Sequence, residues 1–139
     1  MQKFWQLSFS LAAVYGAIVI GMSAAISHLF SHSLEGRALS ALLSSAAVLA
    51  FQTLALMAIS YAQLQQTQLQ QTQSATRQLA KLWPVLVVAG FHLGLWLFVY
   101  TVWAGIFALP MHFSQLAPLG GQLLLVSWLL LAVTPWIRK

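Results

Sequence analysis

Hydrophobic and polar positions alternate along this chain over tens of residues rather than over two or four. Uncharged tracts at 4–34, 38–76 and 82–137 are bounded by Lys3, by Glu35 and Arg37, by Arg77 and Lys81, and by Arg138 and Lys139. A helix needs about 20 apolar residues to cross a hydrocarbon core about 30 Å thick. The first two tracts hold one such segment each, and the third is long enough for two. Spans are predicted at about 4–29, 39–61, 83–108 and 119–136. The pattern predicts an all-α polytopic membrane protein: one domain, residues 1–139, with four transmembrane helices in an antiparallel bundle.

The connections follow from the turn residues. Pro84 suits the first turn of span 3, where its missing donor costs nothing. Pro110, Pro118, Gly120 and Gly121 give Leu109–Gly121 the chemistry of a turn between spans 3 and 4. Residues 62–80 form a glutamine-rich connection containing the repeat "QLQQTQLQQT", 63–72, with Gln73 just beyond. Glutamine is a good helix former, and Gly and Pro are absent from Ala38 to Trp83. Span 2 is therefore expected to run on as helix for a few turns and to turn near Ser74–Thr76. The repeat reads as a docking surface for a partner or as a solvated low-complexity connection.

Composition narrows the function. The chain is 60% hydrophobic and 5% charged, far from the roughly 25% charged residues of soluble domains. Its net charge of +5 comes from residues scattered singly at span ends, so no basic stripe exists to take nucleic acid. Four spans put Lys3, Arg77, Lys81, Arg138 and Lys139 on one side, which the positive-inside rule makes cytoplasmic together with both termini. Trp5, Tyr61, Trp83 and Trp136 fall near that boundary, as an aromatic belt should. The first apolar run is longer than the roughly 7–15 residues of a signal-peptide core, so it reads as a span, not a leader. With no cysteine, thiolate metal sites and disulfides are excluded.

Packing signals inside the spans are plain. Ala13, Ala17, Gly21 and Ala25 form a small ridge at four-residue spacing on span 1. Gly90 and Gly94 make a G-x-x-x-G pair in "GFHLG" on span 3. Both allow close helix approach. His92 and Gln52 fall at about the same depth, counting about 1.5 Å per residue. An interhelical Gln52–His92 hydrogen bond is predicted, satisfying two polar groups that lipid would penalise.

Candidate chemistry is sparse. On the outer side His28, His32, Glu35 and His112 form the one set with metal-ligand character, two of the histidines being four apart. His92 has no second histidine at its depth, which argues against haem, and no cofactor is expected. Glu35 is the only carboxylate, so neither an acid–base pair nor a Ser–His–Asp constellation is available. An enzyme is not expected.

The segment "APLGGQLLLVSWLLL", 117–131, resembles a signature of the bacterial YgdD/YwdK-like family of small four-span membrane proteins, whose function is unassigned. Pro118, Gly120, Gly121 and Trp128 match in register; Ala117 and Ser127 replace the family's usual Thr and Gly. In "AISHLF" the family's His28 is kept with changed neighbours. In "VLAFQTLA" Gln52 stands at a histidine position and Val48 at a tyrosine position, and "LFVYTVW" stands where Phe-Ser-Gly-Ser-Leu-Tyr is usual. The resemblance implies four spans in the bacterial inner membrane and supplies no mechanism. Together with shared depth, it predicts that His28 bonds the Pro118–Gly121 turn.

Abundant packing features and absent chemistry point to a non-catalytic accessory or stabilising subunit of a larger inner-membrane complex, contacting lipid and protein partners but no nucleic acid. The alternatives are a metal- or proton-handling protein using the outer histidines, and a homo-oligomeric pore or carrier lined around His92 and Gln52.

Overall fold

The computed structural model describes residues 1–31, 33–34, 36–69, 78–109 and 116–137. His32, Glu35, His112, Pro110, Arg77, Arg138, Lys139 and the Ser74–Thr76 turn lie outside them. The described residues form four long helices with no strand. Helix α1 runs through Gln2–Ala25 and a π-helical turn, Ile26–Phe30, and α2 is Gly36–Leu69. Helix α3 comprises Gln78–Leu95, a π-helical turn at Trp96–Tyr100, and Thr101–Ile106; α4 is Leu116–Ile137. All four are long and apolar enough to cross a membrane, and the protein is a multi-pass membrane protein.

Helix boundaries differ from those expected, by extension everywhere except at the end of α3, which stops at Ile106 rather than near 108. At 34 residues, α2 is about 50 Å long at about 1.5 Å per residue, well beyond a hydrocarbon core of about 30 Å. It carries the first part of the glutamine repeat as helix. There Thr67 Oγ1 donates to the Gln63 carbonyl at 2.7 Å, and Gln65 Nε2 to the Tyr61 hydroxyl at 2.9 Å. Helix α3 starts at Gln78, so Pro84 lies inside it rather than in its first turn. Helix α4 starts at Leu116. The expected Pro118–Gly121 turn is thus helical, with Pro118 in the first turn, where a proline is tolerated.

Two hairpins, α1 with α2 and α3 with α4, make the most extensive helix contacts, and α2 meets α3 between them. The larger core joins Trp5, Ala12, Leu49, Leu56, Val87, Val88, Phe91, Leu95 and Leu124. A smaller core of Ile26, Leu42 and Ala46 closes the other end, and Trp103 packs against both. The Trp103 indole N–H donates to Ser45 Oγ at 2.8 Å, tying α3 to α2. Of the expected aromatic belt, Tyr61 and Trp136 are exposed. Trp5 is buried in the core, and Trp83 is half-buried, donating its indole N–H to Thr134 of α4 at 3.1 Å.

Glycine sets the α3–α4 spacing. A Cβ on Gly120 would stand 2.5 Å from the Phe98 nitrogen and 2.9 Å from the Gly94 carbonyl oxygen, and one on Gly94 would lie 3.1 Å from the Gly120 carbonyl oxygen. A Cβ on Gly90 would collide with Ser127 Oγ. The G-x-x-x-G pair therefore packs, and its partner is the Gly120–Ser127 face of α4. The ridge on α1 does not join it: Ala13, Ala17 and Gly21 are exposed, Ala25 is partly so, and a Cβ on Gly21 meets nothing within 4 Å. Helix α1 instead buries Trp5, Ser8 and Ala12.

The ends have local causes. Ser31 N–H bonds the Ile26 carbonyl at 2.9 Å, which closes the π turn of α1. Ser27, Ser31 and Ser33 return their hydroxyls to carbonyls four residues back, so the serine-rich exit satisfies itself. Helix α3 ends with Ala108 at a φ of 50° and Leu109 N–H on the Ala104 carbonyl at 2.9 Å, a Schellman closure that usually takes glycine.

Candidate functional site

The polar centre of the bundle is built on a stripe of α1. Trp5, Ser8, Ala12 and Tyr15 follow each other at three- and four-residue steps, so they share one helix face. That face turns inward, and Ala12, with no exposed surface, lets α1 approach closely. Ser8 and Tyr15 then reach His92 on α3. Ser8 Oγ lies 2.9 Å from His92 Nε2, and the Tyr15 hydroxyl lies 3.2 Å from His92 Nδ1. Ser8 Oγ is also 2.9 Å from Ser60 Oγ on α2.

The result is an unbroken hydrogen-bonded chain, Ser60–Ser8–His92–Tyr15, drawn from three helices. Ser8 and Ser60 are buried and His92 is half-buried. Each member is able to donate and to accept, so the three bonds run in a single sense without a formal charge while His92 is neutral, and the hydroxyl proton of the accepting end lies outside the chain. The hydrogen bonds run in one of two senses, set by which His92 nitrogen carries the proton.

The expected Gln52–His92 bond is absent. Both ring nitrogens of His92 are engaged from α1, and Gln52 is buried with its Oε1 lacking any hydrogen-bond partner among the described residues. Equal depth was not enough: a shared hydrogen bond also needs the two side chains on facing flanks, and the α1 stripe occupies that flank of α3.

Of the outer candidates only His28 is among the described residues. His28 is exposed and makes no hydrogen bond to Pro118–Gly121; that segment packs through Gly120 against Gly94 and Phe98 instead. His32, Glu35 and His112 lie outside the described residues, among which no cluster of three or more metal-ligating side chains occurs. Trp128 is part of the core edge, stacked on Phe51 at 5.4 Å and edge-on to Phe91 at 5.2 Å.

Sequence reasoning missed Ser8, Ser60, Tyr15 and the Ser45–Trp103 bond. The signal for the first was available: a stripe mixing Trp, Ser, Ala and Tyr on an otherwise apolar helix marks a face turned toward protein, because lipid cannot satisfy the hydroxyls.

Beside this chain lies a cavity of about 210 Å³ with an almost wholly apolar lining. Tyr15 and Ile18 of α1 and Trp96, Val99, Tyr100 and Trp103 of α3 form most of its wall. The π turn at Trp96–Tyr100 places Trp96 and Tyr100 ring on ring, 5.7 Å apart at 30°.

Comparisons with protein families, with curated proteins and with solved structures find no match to this chain.

Proposed function

We propose that this protein is a non-catalytic subunit that stabilises or assists a larger complex in the bacterial inner membrane, as a divergent member of the YgdD/YwdK-like family. The observation that carries this reading is the outward ridge Ala13–Ala17–Gly21. Lipid-facing positions have no need of small side chains, whereas small residues at four-residue spacing are what lets a second helix approach closely. Only 11% of the apolar window of α1 is buried, against 39% in α2 and in α3, so α1 has a face to offer. A photo-crosslinking residue at Ala17 or Gly21 is expected to capture another polypeptide in the native membrane, and one at the buried Ala104 is not. Adducts with lipid alone would refute the reading; adducts with a second copy of the chain would favour the homo-oligomer.

One observation favours a second reading, proton handling at His92 rather than at the outer histidines: the Ser60–Ser8–His92–Tyr15 chain is hydrogen-bonded throughout. It requires that proton flux into liposomes containing the protein be lost in His92→Phe and kept in His28→Ala.

A further inference from the structure

We infer that the groove between α2, α3 and α4, at the end of the bundle away from Lys3, binds one anionic phospholipid, with the lipid phosphate on Arg37 and an acyl chain laid along α3. Small residues shape this groove. Ala38 and Ala41 of α2 form one rim and Ala117 of α4 the other, with Thr101 and Gly105 of α3 between them. A Cβ on Gly105 would meet nothing within 4 Å, so the floor is open to an occupant. No residue of α1 lines the groove, and the inference stands whether or not α1 has a protein partner.

Charge gives the first argument for the occupant. Arg37 is exposed at the mouth of the groove, and it makes no hydrogen bond or ion pair among the described residues. Thr101 already donates its hydroxyl to the Leu97 carbonyl, so the guanidinium is the polar group that the lining offers. A guanidinium takes a phosphate by two parallel N–H bonds, and the apolar remainder of the lining favours hydrocarbon. The lining has no carboxylate to receive an ammonium, which favours a headgroup of net negative charge over a zwitterionic one.

Depth gives the second. Arg37 is the second residue of α2, and an uncharged tract begins at the next residue, so the guanidinium stands at the level of the headgroups. Further along α2, by about 21 Å at about 1.5 Å per residue, Phe51 stacks on Trp128 of α4 with ring centres 5.4 Å apart. There the two rims meet. A bilayer is about 40–45 Å thick with its headgroups, so the gap closes after about one leaflet. A lipid ends at that depth, whereas a partner helix would continue past it.

The test uses the full chain in a sugar-based detergent free of phosphate, with a phosphatidylglycerol that carries a photoreactive diazirine in the upper part of one acyl chain. Saturable labelling is expected at Ala41 and within Thr101–Ile106. Unlabelled phosphatidylglycerol should compete, while a diacylglycerol with the same chains and inorganic phosphate should not. Arg37→Gln should weaken binding about fivefold, the worth of one basic residue at an anionic lipid surface. Gly105→Leu fills the groove from a position with open space and should abolish labelling at Ala41, leaving that of the exposed Leu125 and Leu129 of α4 unchanged. Labelling that is absent from the groove, or no stronger there than at Leu125 and Leu129, overturns the inference. So does an Arg37→Gln chain labelled like the wild type, or a diacylglycerol or inorganic phosphate that competes as well as phosphatidylglycerol.

Discussion

Gly120 of α4 and Gly94 of α3 meet backbone to backbone: a Cβ on Gly120 would stand 2.9 Å from the Gly94 carbonyl oxygen. At that distance the neighbour is a main-chain atom of a packed helix and cannot rotate away. Gly120→Ala should therefore cost about 1–3 kcal/mol, the usual range for overpacking a closed site. Gly21→Ala, where a Cβ meets nothing within 4 Å, should be neutral or slightly stabilising, since alanine is the better helix former. Thermal unfolding of the two variants in the same detergent compares them directly, and equal losses would mean that α3 and α4 are not in this contact.

The chain at His92 should show as coupling energy. Interhelical hydrogen bonds in membrane proteins average about 0.6 kcal/mol and reach about 1.7 kcal/mol. A double-mutant cycle of Ser8→Ala with His92→Phe should give a coupling in that range, while Gln52→Leu with His92→Phe should be additive. A substantial Gln52–His92 coupling would restore the pairing expected from depth alone.

Gln52 itself is a liability in this fold. A buried amide oxygen without a donor costs about 1–3 kcal/mol, so Gln52→Leu is expected to raise the unfolding temperature. A lower unfolding temperature would reveal a donor to Oε1 supplied from outside the described residues.

These residues also mark what the sequence could and could not disclose. The number of spans was legible because lipid demands long uncharged tracts, and the seven charges punctuate them. Helix ends were less so: Pro84 and Pro118 each sit where a chain can either begin a helix or continue one, and only packing of the flanking residues decides. Pairing was least legible. Counting residues fixes depth, but the rotation of each helix about its axis decides whether His92 meets Gln52 or Ser8, and rotation is set by contacts from all neighbours at once. The α1 ridge shows the same limit. Its small residues were plain, yet they lie outside, and the less regular stripe of Trp5, Ser8, Ala12 and Tyr15 is the one that packs.

The positive-inside rule predicts the orientation. With five of the six basic residues assigned to one side, a fluorescent protein fused after Lys139 should fluoresce in the cytoplasm, and alkaline phosphatase fused there should be inactive. The reverse pattern would overturn the positive-inside assignment.

The most direct test of the subunit proposal is native mass spectrometry of the protein extracted from its own membrane in a mild detergent. If the α1 ridge covers a partner helix, other polypeptides will be found bound at fixed stoichiometry, and Gly21→Leu, which leaves the fold intact, will release them. A bare monomer, or copies of this chain alone, would contradict it.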